Sequence, residues 1–82
     1  MNKIRNLIAT NITYFRYKNK WSQEILAEKM NSSPSYISQL ENGKRNITSN
    51  FIDKLVEIFD IEPVELFKNR EFEFKKRVDK TK

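Results

Sequence analysis

The chain has 82 residues, 38% hydrophobic and 33% charged, a balance that supports one small core and excludes a disordered, low-hydrophobicity chain. Cysteine and histidine are both absent, which excludes a disulfide framework and a thiolate metal site and removes the commonest general base and neutral metal ligand. No enzyme activity, metal or cofactor is expected, no small-molecule ligand is evident, and a cytoplasmic address is the default.

The N-terminal stretch MNKIRNLIATNITYF breaks its apolar residues with Asn, Lys and Arg, so it has neither the continuous apolar segment of a signal peptide nor that of a membrane span. The net charge of +5 is unevenly placed. Residues 1–45 hold eight basic against three acidic side chains, residues 46–67 one against five, and residues 68–82 seven against three. A polyanion at the N-terminal half suits this polarity, although charge alone fits a solvated surface equally well.

In chain order, Ile4, Leu7, Ile8, Ile12 and Phe15 form one helical stripe and predict an amphipathic helix from about Asn2 to Lys18. Ser22 is placed to cap a short second helix with Leu26, Ala27 and Met30 inward and Glu24 in its positive first turn. Asn31 tolerates the left-handed backbone of a sharp turn. Ser33 and Pro34 then open a third helix, cap followed by first-turn proline, with Ile37 and Leu40 inward, and Gly43 ends it. Thr48 caps a fourth helix whose core stripe is Ile52, Leu55, Val56 and Phe59, and Pro63 starts a short fifth carrying Val64, Leu66 and Phe67. The expected fold is all-α, a five-helix domain over residues 1–67. Residues 68–82 form a basic extension whose Phe72, Phe74 and Val78 fit a helix, an edge strand or loose chain equally well.

Two short helices around a tight turn, on a scaffold of longer ones, are the plan of a helix-turn-helix, in which the second helix enters the major groove with its N-terminal end first. On that plan the base readers are Pro34, Ser35, Ser38 and Gln39. Gln39 can bond bidentately to an adenine edge, the two serines to any base, and the Pro34 ring can meet a thymine methyl. No arginine lies on this helix face, so guanine-dominated readout is not expected. Tyr36 reads as a phosphate contact, and Tyr14 and Tyr17 as surface residues. Phe51 and Ile58 fit either a wide core face or a surface for a second copy.

The stretch from Arg16 to Met30, RYKNKWSQEILAEKM, followed by YISQLENGK from Tyr36 to Lys44, resembles the phage repressor and Cro (XRE-like) helix-turn-helix family across about residues 5–67. The resemblance implies a repressor-type transcription regulator, encoded by a bacterium or phage and acting as a dimer on a two-half-site operator in double-stranded DNA. It implies an ion pair between Arg16 and Glu41, DNA-backbone contacts from Gln23, Asn42, Lys44 and Arg45 with Ser22 beside them, and base reading at Pro34, Ser35 and Gln39. Size, YIS at Tyr36–Ser38 and RNIT at Arg45–Thr48 also look like the controller proteins of restriction-modification systems; an antitoxin-type autoregulator has a similar appearance. A protein-interaction module that keeps the fold without DNA binding is the rival from another class. The chain departs from the family at Lys20 and Asn31, where glycine is frequent, at Ser32, where an apolar residue is frequent, and at Pro34, where the family uses a polar or charged reader. For homodimerisation the expected surface is Phe51, Leu55 and Ile58, with Leu66 and Phe67.

Overall fold

The computed structural model describes residues 3–70. Four α-helices follow one another, α1 (Lys3–Lys18), α2 (Gln23–Lys29), α3 (Pro34–Glu41) and α4 (Ser49–Phe59), and the fifth element is a 3-10 turn, Pro63–Phe67. The alternative conformations considered for Phe72, Phe74 and Val78 lie outside the described residues.

Side-chain caps start three of the helices. Ser22 Oγ accepts from Ile25 N, Ser33 Oγ from Tyr36 N and Thr48 Oγ1 from Phe51 N, at 3.1, 3.1 and 3.2 Å. Each satisfies a first-turn amide that has no partner inside its helix. The chain reverses on left-handed residues at Lys20 (φ 61°), Asn31 (φ 54°), Gly43 (φ 71°) and Asp60 (φ 57°). Lys20 and Asn31 are thus positive-φ positions at which glycine relieves a side-chain clash.

The core is drawn from every element. Ile8, Ala9, Ile12 and Phe15 of α1 meet Leu26, Ala27, Met30, Ile37, Leu40, Leu55, Phe59 and Leu66, all buried. Ile4 at the start of the expected α1 stripe is instead 56% exposed. Ile52 and Val56 are only half-buried. Trp21 stacks on Phe59 with ring centres 5.7 Å apart, beneath the Lys29 ammonium. Tyr14 is a correction to the surface reading: it is half-buried, edge-on to Phe15 at 5.0 Å and under the Arg70 guanidinium.

Leu55 and Leu66 also need correction as dimer-surface residues. Both have no exposed area, since the helical turn that presents them points into the protomer's own core. They have nothing left to bury against a second copy.

Past Phe67 the chain stays tied to α1. The buried Asn11 amide donates to Leu66 O and Lys68 O at 2.7 and 2.8 Å, and its Oδ1 accepts from Arg70 Nε at 2.8 Å. Arg70 also donates to the Glu65 carboxylate and lies over the Tyr14 and Phe15 rings. The anchored chain therefore runs through Arg70.

Candidate nucleic-acid interface

Helix α3 is short, so its pose depends on its neighbours. Ile37 and Leu40 sink into the core with no exposed area, which turns Pro34 and Ser35 outward, with Tyr36, Ser38 and Gln39 half-exposed beside them. The backbone of the connecting turn is itself held: Ser32 N donates to Ala27 O at 2.8 Å. Helices α2 and α3 are thereby fixed as one unit.

The far end of α3 is held by one carboxylate. Glu41 accepts from Arg16 Nε at 2.6 Å and from Arg16 Nη2 at 2.9 Å, a bidentate pair with side chains 10% and 6% exposed. Gln23 Nε2 donates to the same carboxylate at 3.0 Å, and Arg16 Nη1 donates to Trp21 O at 2.9 Å. One cluster thus joins α1, the entrance of α2 and the exit of α3. Burial works against the Arg16 charge, but the hydrogen bonds and attraction of Glu41, with a smaller contribution from Tyr17, outweigh it and raise the guanidinium above its ordinary value.

The loop after α3 carries exposed Lys44, Arg45 and Asn46. Its turn closes through Gly43 N to Leu40 O and Lys44 N to Gln39 O, at 3.0 and 2.9 Å. The positive φ of Gly43 is what this turn requires, and a Cβ there would also run into the Asn6 carboxamide. Arg5 of α1 braces the loop by donating to Gly43 O and Asn46 Oδ1. Sequence reasoning assigned Arg5 no role, because its partners are 38 and 41 residues away and no local spacing marks it.

Arg45 does not project from the loop as an isolated charge. Its Nε donates to Gln39 Oε1 at 2.6 Å and its guanidinium carbon lies 5.2 Å from the Tyr36 ring centre. Tyr36 in turn meets Phe51 edge-on at 5.6 Å. Phe51 is therefore half-buried beside α3. Of the other sequence-marked residues, Ser22 and Asn42 are exposed, Gln23 and Ile58 half-buried, and Phe67 40% exposed. The Ser22 hydroxyl accepts as a cap and keeps its own proton to donate.

The arrangement can recognise a duplex: a helix N-terminus with short polar side chains outward, flanked by a braced basic loop. Among the described residues no helix is long and apolar enough to cross a membrane.

Comparison with known proteins agrees with this geometry. No curated protein matches the chain. Among solved structures, a hypothetical transcription factor from Neisseria is 27% identical, covering 89% of this chain and 84% of its own, with a TM-score of 0.77. The restriction-modification controller protein C.AhdI from Aeromonas hydrophila is 35% identical over 77% of this chain and 96% of its own, with a TM-score of 0.71. The clp gene regulator ClgR from Corynebacterium glutamicum, at 18% identity, shares the fold over 98% of this chain and 85% of its own, with a TM-score of 0.77. The family model described as HTH_3, helix-turn-helix, matches residues 12–66. With α2 and α3 at the centre of that match, the chain belongs to the HTH_3 helix-turn-helix family, the XRE type of DNA-binding transcription regulator.

Proposed function

We propose that this chain acts as a homodimer that binds a two-half-site operator in double-stranded DNA and represses transcription from it. The observation that carries the reading is the pose of α3, whose apolar side is fully buried while Pro34, Ser35, Ser38 and Gln39 line the opposite side. A helix held this way presents one polar face to the base edges of the major groove. Pro34, Ser35, Ser38 and Gln39 read bases in this proposal. Ser22, Gln23, Tyr36, Asn42 and Lys44 hold the phosphate backbone and set the register. Gln23 suits that task because Glu41 fixes its amide at 3.0 Å before DNA arrives. The protein works in the cytoplasm on the nucleoid, with no cofactor.

A restriction-modification controller is the specific regulator type favoured by the 35% identity to C.AhdI across 96% of that chain.

The test is selection of bound duplexes from a random pool, followed by titration of the selected site and a random duplex at rising salt. A site-specific dimer yields two related half-sites about 34 Å apart or a multiple of that, and a log-log salt slope of about −0.9 for each phosphate contacted. A protein-interaction module yields no preferred site and no slope.

A further inference from the structure

We propose that Arg45 is a base-reading residue aimed at guanine, and that it sets which end of the Gln39 amide faces the DNA. The inference rests on the reading of α3 as the recognition helix. It departs from the role that the family resemblance implies for Arg45, a backbone contact.

Three observations place the guanidinium on the reading face. Arg45 Nε is 2.6 Å from Gln39 Oε1, on the outer side of α3. The guanidinium lies against the Tyr36 ring, at 5.2 Å, within the range at which an aromatic face attracts a cation. Tyr36 is itself backed by Phe51 at 5.6 Å, so the surface that supports Arg45 is part of the packed domain. An arginine aimed at a phosphate has no need of such a seat; one that reads a base must be held in a narrow range of positions.

The chemistry then follows from which atoms are occupied. With Nε donating to Gln39, the two Nη groups make no hydrogen bond among the described residues. Side by side, they match the O6 and N7 acceptors on the major-groove edge of guanine. Because Arg45 has only donors, it must face the amide oxygen of Gln39, which leaves Nε2 as the outward group. Nε2 lies 3.5 Å from Ser35 Oγ, at the outer limit of a hydrogen bond. The pair Arg45 and Gln39 therefore presents a row of donors. An adenine edge, which needs both a donor and an acceptor, fits this row less well than successive acceptors do. Readout with a guanine replaces the adenine-centred expectation drawn from α3 alone.

The experiment is selection from a random duplex pool with the parent, Arg45→Ala, Arg45→Lys and Gln39→Ala, each checked for an unchanged helical signal and melting curve. The parent is expected to select a guanine at one fixed position in each half-site. Arg45→Ala should lose about fivefold to a hundredfold discrimination at that position and, by freeing the Gln39 amide to turn, shift the preference at the position Gln39 reads toward adenine, with the remaining positions and the salt slope on random duplex unchanged. Arg45→Lys keeps the charge but lacks the planar fork, and should fail to restore the preference. If Arg45→Ala weakens all sequences alike and flattens the slope by about one unit, or if Arg45→Lys restores the parent's site, Arg45 is a phosphate contact and the proposal is wrong. A parent that prefers a site without that guanine overturns the proposal and leaves the operator reading standing. A parent with no preferred site overturns both.

Discussion

Arg16 and Glu41 show why the same two charges mean different things in sequence and in space. Separated by 25 positions, they meet as a bidentate pair with side chains 10% and 6% exposed, and the Glu41 carboxylate also fixes Gln23. Removing one partner leaves the other buried without compensation. Arg16→Ala should therefore destabilise the domain by up to about 3–5 kcal/mol, the range for breaking a buried pair, with the residual exposure placing it toward the lower end. Replacing both residues by apolar ones of similar volume should recover part of the loss. Urea unfolding of the two variants measures this; an Arg16→Ala protein as stable as the parent would show that the pair contributes nothing to the fold. The raised Arg16 value lies far above neutral pH, so the guanidinium keeps its charge there. On the reading face, Ser35→Ala and Lys44→Ala should separate two kinds of contact. Ser35→Ala should cost about 1–3 kcal/mol of discrimination if its base contact is a good one. Lys44→Ala should weaken every sequence and flatten the salt slope by about one unit. Equal behaviour of the two variants in a competition binding assay would remove that distinction.

At the scale of elements, α2 and α3 contribute few intrahelical bonds and depend on caps, turns and braces. Lys20 holds a left-handed conformation at φ 61° between α1 and α2, which costs an L-residue with a Cβ roughly 1–2 kcal/mol. Lys20→Gly should thus raise stability by about 1 kcal/mol after glycine's greater unfolded-state entropy is subtracted, seen as a higher melting temperature with the same DNA site. A lower melting temperature would mean that the turn is not strained. The 3-10 turn is tied down by a different device, in which Asn11, Glu65 and Arg70 link it to α1 and to the chain that follows. Hydrogen bonds from Arg70, then Lys68, hold the Glu65 carboxyl below its ordinary value. A carboxylate with a depressed folded value adds stability that is complete above its unfolded value and is lost as pH falls through the folded one. Acid should loosen this tie first in the parent, and Glu65→Gln should remove that part of the acid dependence. Hydrogen exchange of the amides at 65–70 reports it; identical exchange in parent and variant as pH is lowered would assign the acid response to other groups.

For the whole molecule, the homodimer proposed above requires a face on which a second copy docks. The five side chains that sequence spacing groups into a dimer surface divide sharply in the fold. Leu55 and Leu66 are fully buried, Phe51 leans on Tyr36 beside the reading helix, and Ile58 and Phe67 keep exposed area. Val64, in the same 3-10 turn as Phe67, is 59% exposed. A dimer built on the end of α4 and this turn leaves α3 clear, as a two-half-site operator demands. Phe67→Lys should accordingly give a folded monomer with much weaker operator binding, whereas Phe51→Lys should also disturb the reading face. Sedimentation and helical signal on the same sample decide the matter. A Phe67→Lys protein that stays dimeric places the interface elsewhere.

Much of this architecture is local, and that is why it was readable in the chain. The caps at Ser22, Ser33 and Thr48, the proline starts at Pro34 and Pro63, and the left-handed turns at Asn31 and Gly43 all use bonds or dihedrals spanning a few residues. Residue type and spacing determine such features without reference to the rest of the molecule. The site residues of α3 follow from the same logic, since burying Ile37 and Leu40 turns the opposite face outward. Other features depend on segments distant in sequence. Only the tertiary structure decided that Arg5 braces the loop 38 positions later, that Asn11 holds the chain near Leu66 and Lys68, and that Leu66 is wholly covered by the core. It also decided that Arg45, a loop charge by sequence, lies against Tyr36 and Gln39. The physical reason is common to all four: each is set by which surfaces the packed helices bring within hydrogen-bond or van der Waals range, and helical period specifies the face of a side chain without specifying what will meet it.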